Sequence, residues 1–233
     1  MQAIVFDKTV FRYPYTDYDV IEGLEMSVPC GKWTDVLIDE QSGKTTLCKL
    51  LMGLIKPNKG NIFYYGQDIS QLSLQQRNIL YLGRQDMLIG GRNVLYNVAY
   101  PLKVRKVRRR QRIEIATECL NKCGLEQYAC VRTQDLDDSV KCAVAVCRAL
   151  TRRVDTVLCD DFFDRKSDKA LQLLKDNFFN TTLVNFTSRI DCCVGQQTIL
   201  IKDGKVVANG DRQEIARKLD GILWLAKEVK NGL

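Results

Sequence analysis

The sequence predicts an α/β fold with a largely parallel sheet, on three observations. Short strand-like apolar runs alternate with stretches whose apolar residues recur at three and four, the pattern of strands feeding helices. Residues 2–30 instead alternate in strand fashion, with Ile4, Phe6 and Val10, then Ile21, Leu24, Met26 and Val28, so an antiparallel β part is expected at the N-terminus. Val36–Leu50, VLIDEQSGKTTLCKL, reads strand, polar loop, helix around Gly43-Lys44-Thr45-Thr46. That is the context of a phosphate-binding P-loop.

The physics of such a loop is direct. Backbone N–H groups of the loop and the free N–H groups at the helix start converge on one spot and attract an anion. Lys44 would add a full positive charge on the outer phosphates, and the Thr45 hydroxyl would sit on Mg²⁺. The motif G-x-x-x-x-G-K-[ST] is incomplete here: Ile38 stands at the first Gly, and Gln41 where many such loops carry another Gly. A bare G-K-[ST] arises by chance in about one chain in ten of this length, so the rest of the chain must support it.

The length, 233 residues, suits one large domain or a core with a small subdomain. The 45% hydrophobic and 27% charged residues are ordinary for a globular protein. No apolar run approaches the roughly 18 residues that span a bilayer. The start, MQAIVFDKTVFRY, lacks a basic region followed by a long apolar stretch, so no signal peptide is expected and a cytoplasmic location is. Ten Cys without paired C-x-x-C units, and no His, argue for reduced, mostly buried thiols rather than zinc. The absence of His excludes every His-based acid–base mechanism within this chain. The net charge of +7 equals the seven cations of one window: Lys103, Arg105, Lys106, Arg108, Arg109, Arg110 and Arg112. A domain-wide basic surface is therefore not indicated, and no nucleic acid is expected.

In chain order, Tyr13-Pro14-Tyr15 interrupts the first strands; an aromatic there either stacks on a nucleotide base or lies at a turn edge. Cys30-Gly31 is a turn, and Trp33–Ile38 is the strand feeding the P-loop. Pro57 and Gly60 close a connection before a strand at Asn61–Tyr65. Ile79–Leu82 is a strand ending in Gly83, Arg84, Gln85 and Asp86, a polar segment where ligands of α/β sheets bind. A helix is expected from Asn93. Another runs from Arg108 to Cys123, with Ile113, Ala116, Leu120 and Cys123 as one apolar stripe and Gly124 as C-cap. Its arginines fit a solvated face, anionic phospholipid headgroups or a partner surface. Gln134–Ser139 is an acidic loop with N-cap character before a helix burying Val140, Ala143, Val144 and Cys147 on one face. Val154–Cys159 is a strand ending in Asp160-Asp161, two acids that need a cation or solvent. Thr181–Phe186 is a strand, followed by Thr187-Ser188-Arg189. Asp203-Gly204 is the strongest hairpin signal, and Arg212–Lys230 is helical with Ile215, Leu219, Ile222 and Leu223 inward. One domain is expected over 1–233, with an inserted helical subdomain at about 86–150.

Together these pieces make the chain resemble an ATP-binding cassette (ABC) transporter ATPase subunit, importer-like, over almost its whole length. The resemblance implies a P-loop NTPase core and ATP and Mg²⁺ as cofactors. Tyr13 matches the adenine-stacking aromatic, and Ser42, Gly43, Lys44, Thr45 and Thr46 match the P-loop. Gln85 matches the glutamine that touches the metal and relays to the membrane subunit. Asn97–Val104, NVAYPLKV, is similar to the segment that follows. Cys147–Leu150, CRAL, matches the end of the signature helix. VLCDD, Val157–Asp161, is similar to the family's Walker B strand, where Asp160 would hold Mg²⁺ through water, so Thr45, Gln85 and Asp160 form the implied metal set. Lys202–Gly210 is similar to the family's closing hairpin.

The departures from the family pattern imply a degenerate subunit. Counting back from CRAL, the signature L-S-G-G-Q falls on Leu136, Asp137, Asp138, Ser139 and Val140, so two carboxylates stand where a Ser and a Gly normally hold the γ-phosphate of ATP on the opposite subunit. The catalytic Glu is Asp161, the following Pro is Phe162, the D-loop falls on Asp164–Ser167 and the switch His on Ser188. Asp is a methylene shorter than Glu, and a misplacement of roughly 1 Å costs on the order of 10²-fold. General-base work as a whole is worth about 10²–10⁴-fold. The resemblance thus implies ATP–Mg binding with weak or no hydrolysis, a heterodimer with a more complete ABC ATPase subunit, and a transmembrane permease partner on the cytoplasmic face of the membrane. The alternatives are a slow but genuine ATPase using Asp161, and a regulatory module that has lost the nucleotide.

Overall fold

The computed structural model describes residues 1–40, 42–73, 76–83, 88–165 and 167–219. The chain divides into two units, Met1–Arg77 with Thr182–Leu233, and Asn78–Thr181. Gln85 and the neighbouring 84–87, like Gln41 and the tail with Ile222 and Leu223, lie outside the described residues.

Period-two alternation builds one sheet of the first unit. β1 (Gln2–Phe11) buries Ile4 and Phe6, and β2 (Ile21–Pro29) buries Leu24, Met26 and Val28. The two pair antiparallel, with Phe6 opposite Met26. Apolar residues on one face of each strand fix that register, because a slip of one would turn them all outward. α1 (Lys44–Met52) follows the next strand of the chain. β4 (Lys59–Tyr64) runs antiparallel along the other edge of β1, and the two-residue β5 (Gln67–Asp68) completes the order β2-β1-β4-β5. Gly60, expected in a connection, lies inside β4. A Cβ there would strike the Lys8 carbonyl oxygen at 2.2 Å, so bare Gly lets the strand close on β1.

The parallel part of this unit centres on β3 (Trp33–Ile38), all six residues buried. β8 (Thr182–Thr187) and β9 (Gln197–Lys202) flank it in parallel, and β10 (Lys205–Gly210) returns antiparallel on β9. Both β3 and β8 are buried along their whole length, yet each carries polar residues, Thr34 and Asp35 in β3 and Thr182, Asn185 and Thr187 in β8. The Asp203-Gly204 turn has φ of 49° and 71°, the doubly positive φ of a tight hairpin turn. Residues 212–219 are helical, with Ile215 fully buried against Leu37, Leu200 and Ala208.

In the second unit, β6 (Ile79–Leu82) and β7 (Thr156–Asp160) pair in parallel, Leu82 beside Cys159. α2 (Val94–Val104), α3 (Arg109–Cys123) and α4 (Asp138–Ala149) lie between them in sequence, and α5 (Asp168–Asn177) follows β7. Four local expectations are corrected. β7 starts at Thr156, not Val154, and takes in Asp160. α3 turns only Ala116, Leu120 and Cys123 inward, whereas Ile113 is 37% exposed. α4 has no single apolar face: Cys142–Cys147 are all buried, and Val140 is half-buried. Small Ala, Val and Cys side chains let a helix be surrounded on every side. Asp137 stands at the N-cap of α4, but its side chain makes no capping bond. The expected α/β class, with its N-terminal antiparallel part, is borne out. No described helix is long and apolar enough to cross a membrane.

Candidate functional site

The first unit gathers one set of the predicted residues at the carboxyl ends of β3 and β8. After Ile38 the chain turns, with the Ser42 N–H donating to the Asp39 carbonyl at 3.2 Å. Gly43 then takes φ 99° and serves as N-cap of α1. A Cβ there would meet Ile21 Cδ1 at 2.8 Å and Val20 Cγ1 at 3.2 Å, so both conformation and space demand Gly. Because Gly43 supplies no side-chain cap, the first N–H groups of α1 are not satisfied by one. The positive end of the α1 dipole lies here, which suits an anion. Lys44 and Thr46 are buried, Thr45 is exposed, and Ser42 is half-buried. These donors fit a phosphate group.

Tyr13 belongs to the same set. Its hydroxyl lies 3.2 Å from Thr46 Oγ1, its ring packs edge-on against Phe11 at 4.8 Å, and Lys49 Nζ stands 5.9 Å from the ring centroid. The ring is thereby fixed beside the first turn of α1, a position that suits an aromatic expected to stack on a base. Ser188 is the first residue after β8, whose Thr187 pairs in register with Leu37. Its position is thus beside the loop that leaves β3. Asp39 and Glu40, both exposed, put two carboxylates on that loop.

The second unit gathers the other set. Asp160 is 5% exposed at the end of β7, and its Oδ2 accepts from the Tyr81 hydroxyl at 2.9 Å. Tyr81 escaped the sequence reading, since a Tyr in an alternating strand gives no sign of its partner. Its ring lies over Gly83, where a Cβ would come within 2.7 Å. Hard carboxylate oxygen of this kind fits Mg²⁺. Asp161 adopts φ 51°, a left-handed conformation that Asp tolerates better than Glu. Gln85, the remaining implied metal contact, lies outside the described residues.

The signature segment forms the start of α4. Leu136 is buried, Asp137 and Asp138 are exposed, Ser139 is exposed and Val140 half-buried. Asp138 accepts from Lys141 Nζ at 3.1 Å. Two carboxylates at a helix start satisfy the positive end of its dipole, leaving less field for an added anion. Ser167, the N-cap of α5, donates from Oγ to the Ser139 carbonyl at 2.7 Å and accepts from the Ala170 N–H. It ties the D-loop position to the signature, a link that the Ser-x-x N-cap pattern only half discloses.

Comparison with known proteins gives a consistent picture. The family model described as ABC transporter matches residues 21–164. An energy-coupling factor transporter ATP-binding protein from Ligilactobacillus salivarius is 24% identical, covering 97% of this chain and 84% of that protein. A probable sulfate/thiosulfate import ATP-binding protein from Chlorella vulgaris is 27% identical, covering 87% and 89%. A methionine import ATP-binding protein from Corynebacterium jeikeium is 26% identical over 88% of this chain, which spans 60% of that protein. Among solved structures, a bacterial Atm1-family ABC exporter with ATP bound superposes with a TM-score of 0.80 at 19% identity, over 97% of this chain and 42% of the exporter chain. That likeness speaks for the fold.

Proposed function

The chain belongs to the ABC transporter family, and from that premise we propose that it is a nucleotide-binding subunit impaired in turnover. It binds ATP–Mg, pairs with a more complete ATPase subunit, and docks on a membrane permease from the cytoplasmic side. The relatives' names, which describe ATP-binding proteins of import systems, support the transport setting. One observation carries the impairment: α4 begins with Asp137 and Asp138 where the family presents small, phosphate-holding residues.

The roles follow from chemistry. The N–H groups at the start of α1, with Lys44 and the Ser42, Thr45 and Thr46 hydroxyls, hold the phosphates, and Tyr13 stacks on the base. When bound, Mg²⁺ neutralises phosphate charge, and Thr45, Gln85 and Asp160 would hold it, with Tyr81 fixing one Asp160 oxygen. Asp161 orients water poorly because it is short, and Ser188 supplies no imidazole. At the partner's phosphates Asp137 and Asp138 add repulsion, which in a closed, water-poor interface amounts to a few kcal/mol at an effective dielectric near roughly 20.

Calorimetric titration tests the nucleotide reading. ATP–Mg should bind the wild-type chain in the micromolar to millimolar range, and Lys44→Ala should abolish the heat. Absence of any binding at millimolar ATP would instead leave a regulatory module that kept the fold alone.

A further inference from the structure

All ten cysteines are free thiols, and only Cys30 and Cys130 are exposed. Three of the others gather inside the second unit. Cys123 is the last residue of α3 and 2% exposed, and Cys147 lies on α4, fully buried. Half-buried Cys119 sits one turn before Cys123 on the same face of α3. α3 packs against α4, and there the Cys147 thiol donates a hydrogen bond to the Cys123 sulfur. Lys169 of α5 completes the group. Its Nζ lies 3.3 Å from where a Cβ on Gly124 would stand, next to Cys123.

A thiol buried in apolar surroundings is ordinarily inert, because burial keeps it protonated. Cys123 is placed differently. The hydrogen bond from Cys147 and the charge of Lys169 hold its thiol below the ordinary value against the effect of burial, and Cys147, the donor, is pushed well above it. The pair thus divides into a nucleophile and a proton donor. The carbonyl end of α3 opposes a thiolate, and Lys169 offsets that field. Lys122 and Gly124, on either side of Cys123, are exposed, so a reagent little larger than water has a short way in. The adjacent Cys192 and Cys193 are not an equivalent pair. Neighbouring Cα atoms stand about 3.8 Å apart, short of the roughly 4.4–6.8 Å of a relaxed disulfide, and the Cys193 thiol donates to the Arg189 carbonyl at 3.9 Å. Among the described residues no three His, Cys, Asp or Glu side chains are grouped to hold a metal ion, so the three thiols are read as redox groups.

We propose that Cys123 and Cys147 form a dithiol that hydrogen peroxide converts to a disulfide between α3 and α4. The Cys123 thiolate attacks one peroxide oxygen, the O–O bond breaks, and hydroxide leaves and takes a proton to become water. The Cys147 sulfur then attacks the sulfenic sulfur of Cys123, the S–O bond breaks, and the oxygen departs as water with the Cys147 proton. Two thiols lose two electrons in all, and one peroxide becomes two waters. In a reducing compartment such a bridge is transient, the behaviour of a redox-sensing pair. It would anchor α4, the helix that begins with Asp138, to the end of α3. The site goes beyond the nucleotide reading and stands without it, since it uses none of the same residues.

The full chain, with the exposed thiols removed as Cys30→Ser and Cys130→Ser, is treated with hydrogen peroxide and its thiols are titrated. Two thiols should disappear, and dithiothreitol should restore them. Tandem mass spectrometry of a non-reduced tryptic digest should join peptides 123–132 and 142–148 through Cys123 and Cys147. The bridge closes a loop of about 25 residues, so the oxidised chain should melt roughly 5–10 °C higher than the reduced chain. Adding Cys123→Ala should abolish both the bridge and the melting shift, and adding Cys119→Ser should leave both in place. Digest mapping needs no change at either sulfur, so it decides the matter even where a core variant folds poorly. A bridge through Cys119 or between Cys192 and Cys193 would overturn the assignment. So would sulfinic acid at Cys123 without a bridge, or a full set of thiols after peroxide has oxidised free cysteine in the same tube.

Discussion

Asp35 is a carboxylate in the middle of β3, fully buried. Its oxygens accept from Asn185 Nδ2 at 2.7 Å, from the Val194 N–H at 3.1 Å and from the Gly195 N–H at 2.7 Å. Gly195 can approach because it lacks a Cβ, which would lie 2.5 Å from the Trp33 carbonyl oxygen. The bonds tie the segment after Ser188 to the strand that feeds the phosphate loop. Burial raises the Asp35 pKa, and the hydrogen bonds and the charge of Arg212 only partly offset it; beside it, burial and Asp35 push the Cys193 thiol up to about 12. The folded chain therefore holds the Asp35 proton more tightly than the unfolded chain. Ionising the buried Asp35 costs the folded chain stability, and that cost is relieved as pH falls through the raised value toward the ordinary 3.8. Stability of wild type minus that of Asp35→Asn, from denaturant melts, should rise over that acid window; a flat or falling difference would contradict the burial argument. Tyr81 makes a second residue-scale case. Removing one hydrogen bond to a charged acceptor costs about 1.5–3 kcal/mol. Tyr81→Phe should therefore weaken Mg²⁺-dependent nucleotide binding by roughly tenfold or more, with unchanged binding of metal-free ATP. Equal weakening of both would show a general loss of fold instead.

Elements were legible where a local rule decides them. The Asp203-Gly204 hairpin followed from turn chemistry, the β3–α1 junction from the loop motif, and the α3 end from Gly124, which takes φ 59° as its C-cap. Tertiary facts were not legible. The burial of α4 on all sides depends on what surrounds it, and Tyr81–Asp160 and Asn185–Asp35 join residues 79 and 150 apart in sequence. Arg77 is another such residue. It is 7% exposed and donates to the carbonyls of Leu51, Ile69 and Leu72, capping the end of α1 with a buried cation. Arg77→Met removes those bonds and should lower the melting temperature by roughly 5–10 °C. Arg77→Lys, with fewer and differently directed donors, should recover only part. A melting temperature unchanged in the Met variant would show that water caps α1 equally well. At α4, Asp137→Ser with Asp138→Gly and Ser139→Gly removes charge from the helix start and the Asp138–Lys141 pair. The change costs α4 roughly 1 kcal/mol of local stability. It should nonetheless raise steady-state ATPase in a complex whose partner keeps its catalytic Glu and His, and do little in the chain alone. No rise with assembly intact would reject repulsion as the cause.

At the scale of the molecule, carboxylates stand near both of the helix starts proposed to meet phosphate. The net charge is +7, equal to the cations of the window at 103–112. Yet Asp39 and Glu40 precede the start of α1, and Asp137 and Asp138 occupy the start of α4. The helix start that suits an anion persists at α1, with Lys44 at its first position, while the carboxylates near both helix starts oppose a polyanion. On the function proposed above, such a subunit would retain ATP when Mg²⁺ cancels part of its charge, with little to cleave it. Single-turnover measurement addresses that directly: excess protein is mixed with trace labelled ATP–Mg, and bound nucleotide is followed as ATP or ADP. Label should remain as ATP long after an ordinary enzyme, turning over at about 1–10³ per second, would have converted it, and retention should be lost in Lys44→Ala. Prompt conversion to ADP and phosphate, or no retention in the wild type, would contradict it.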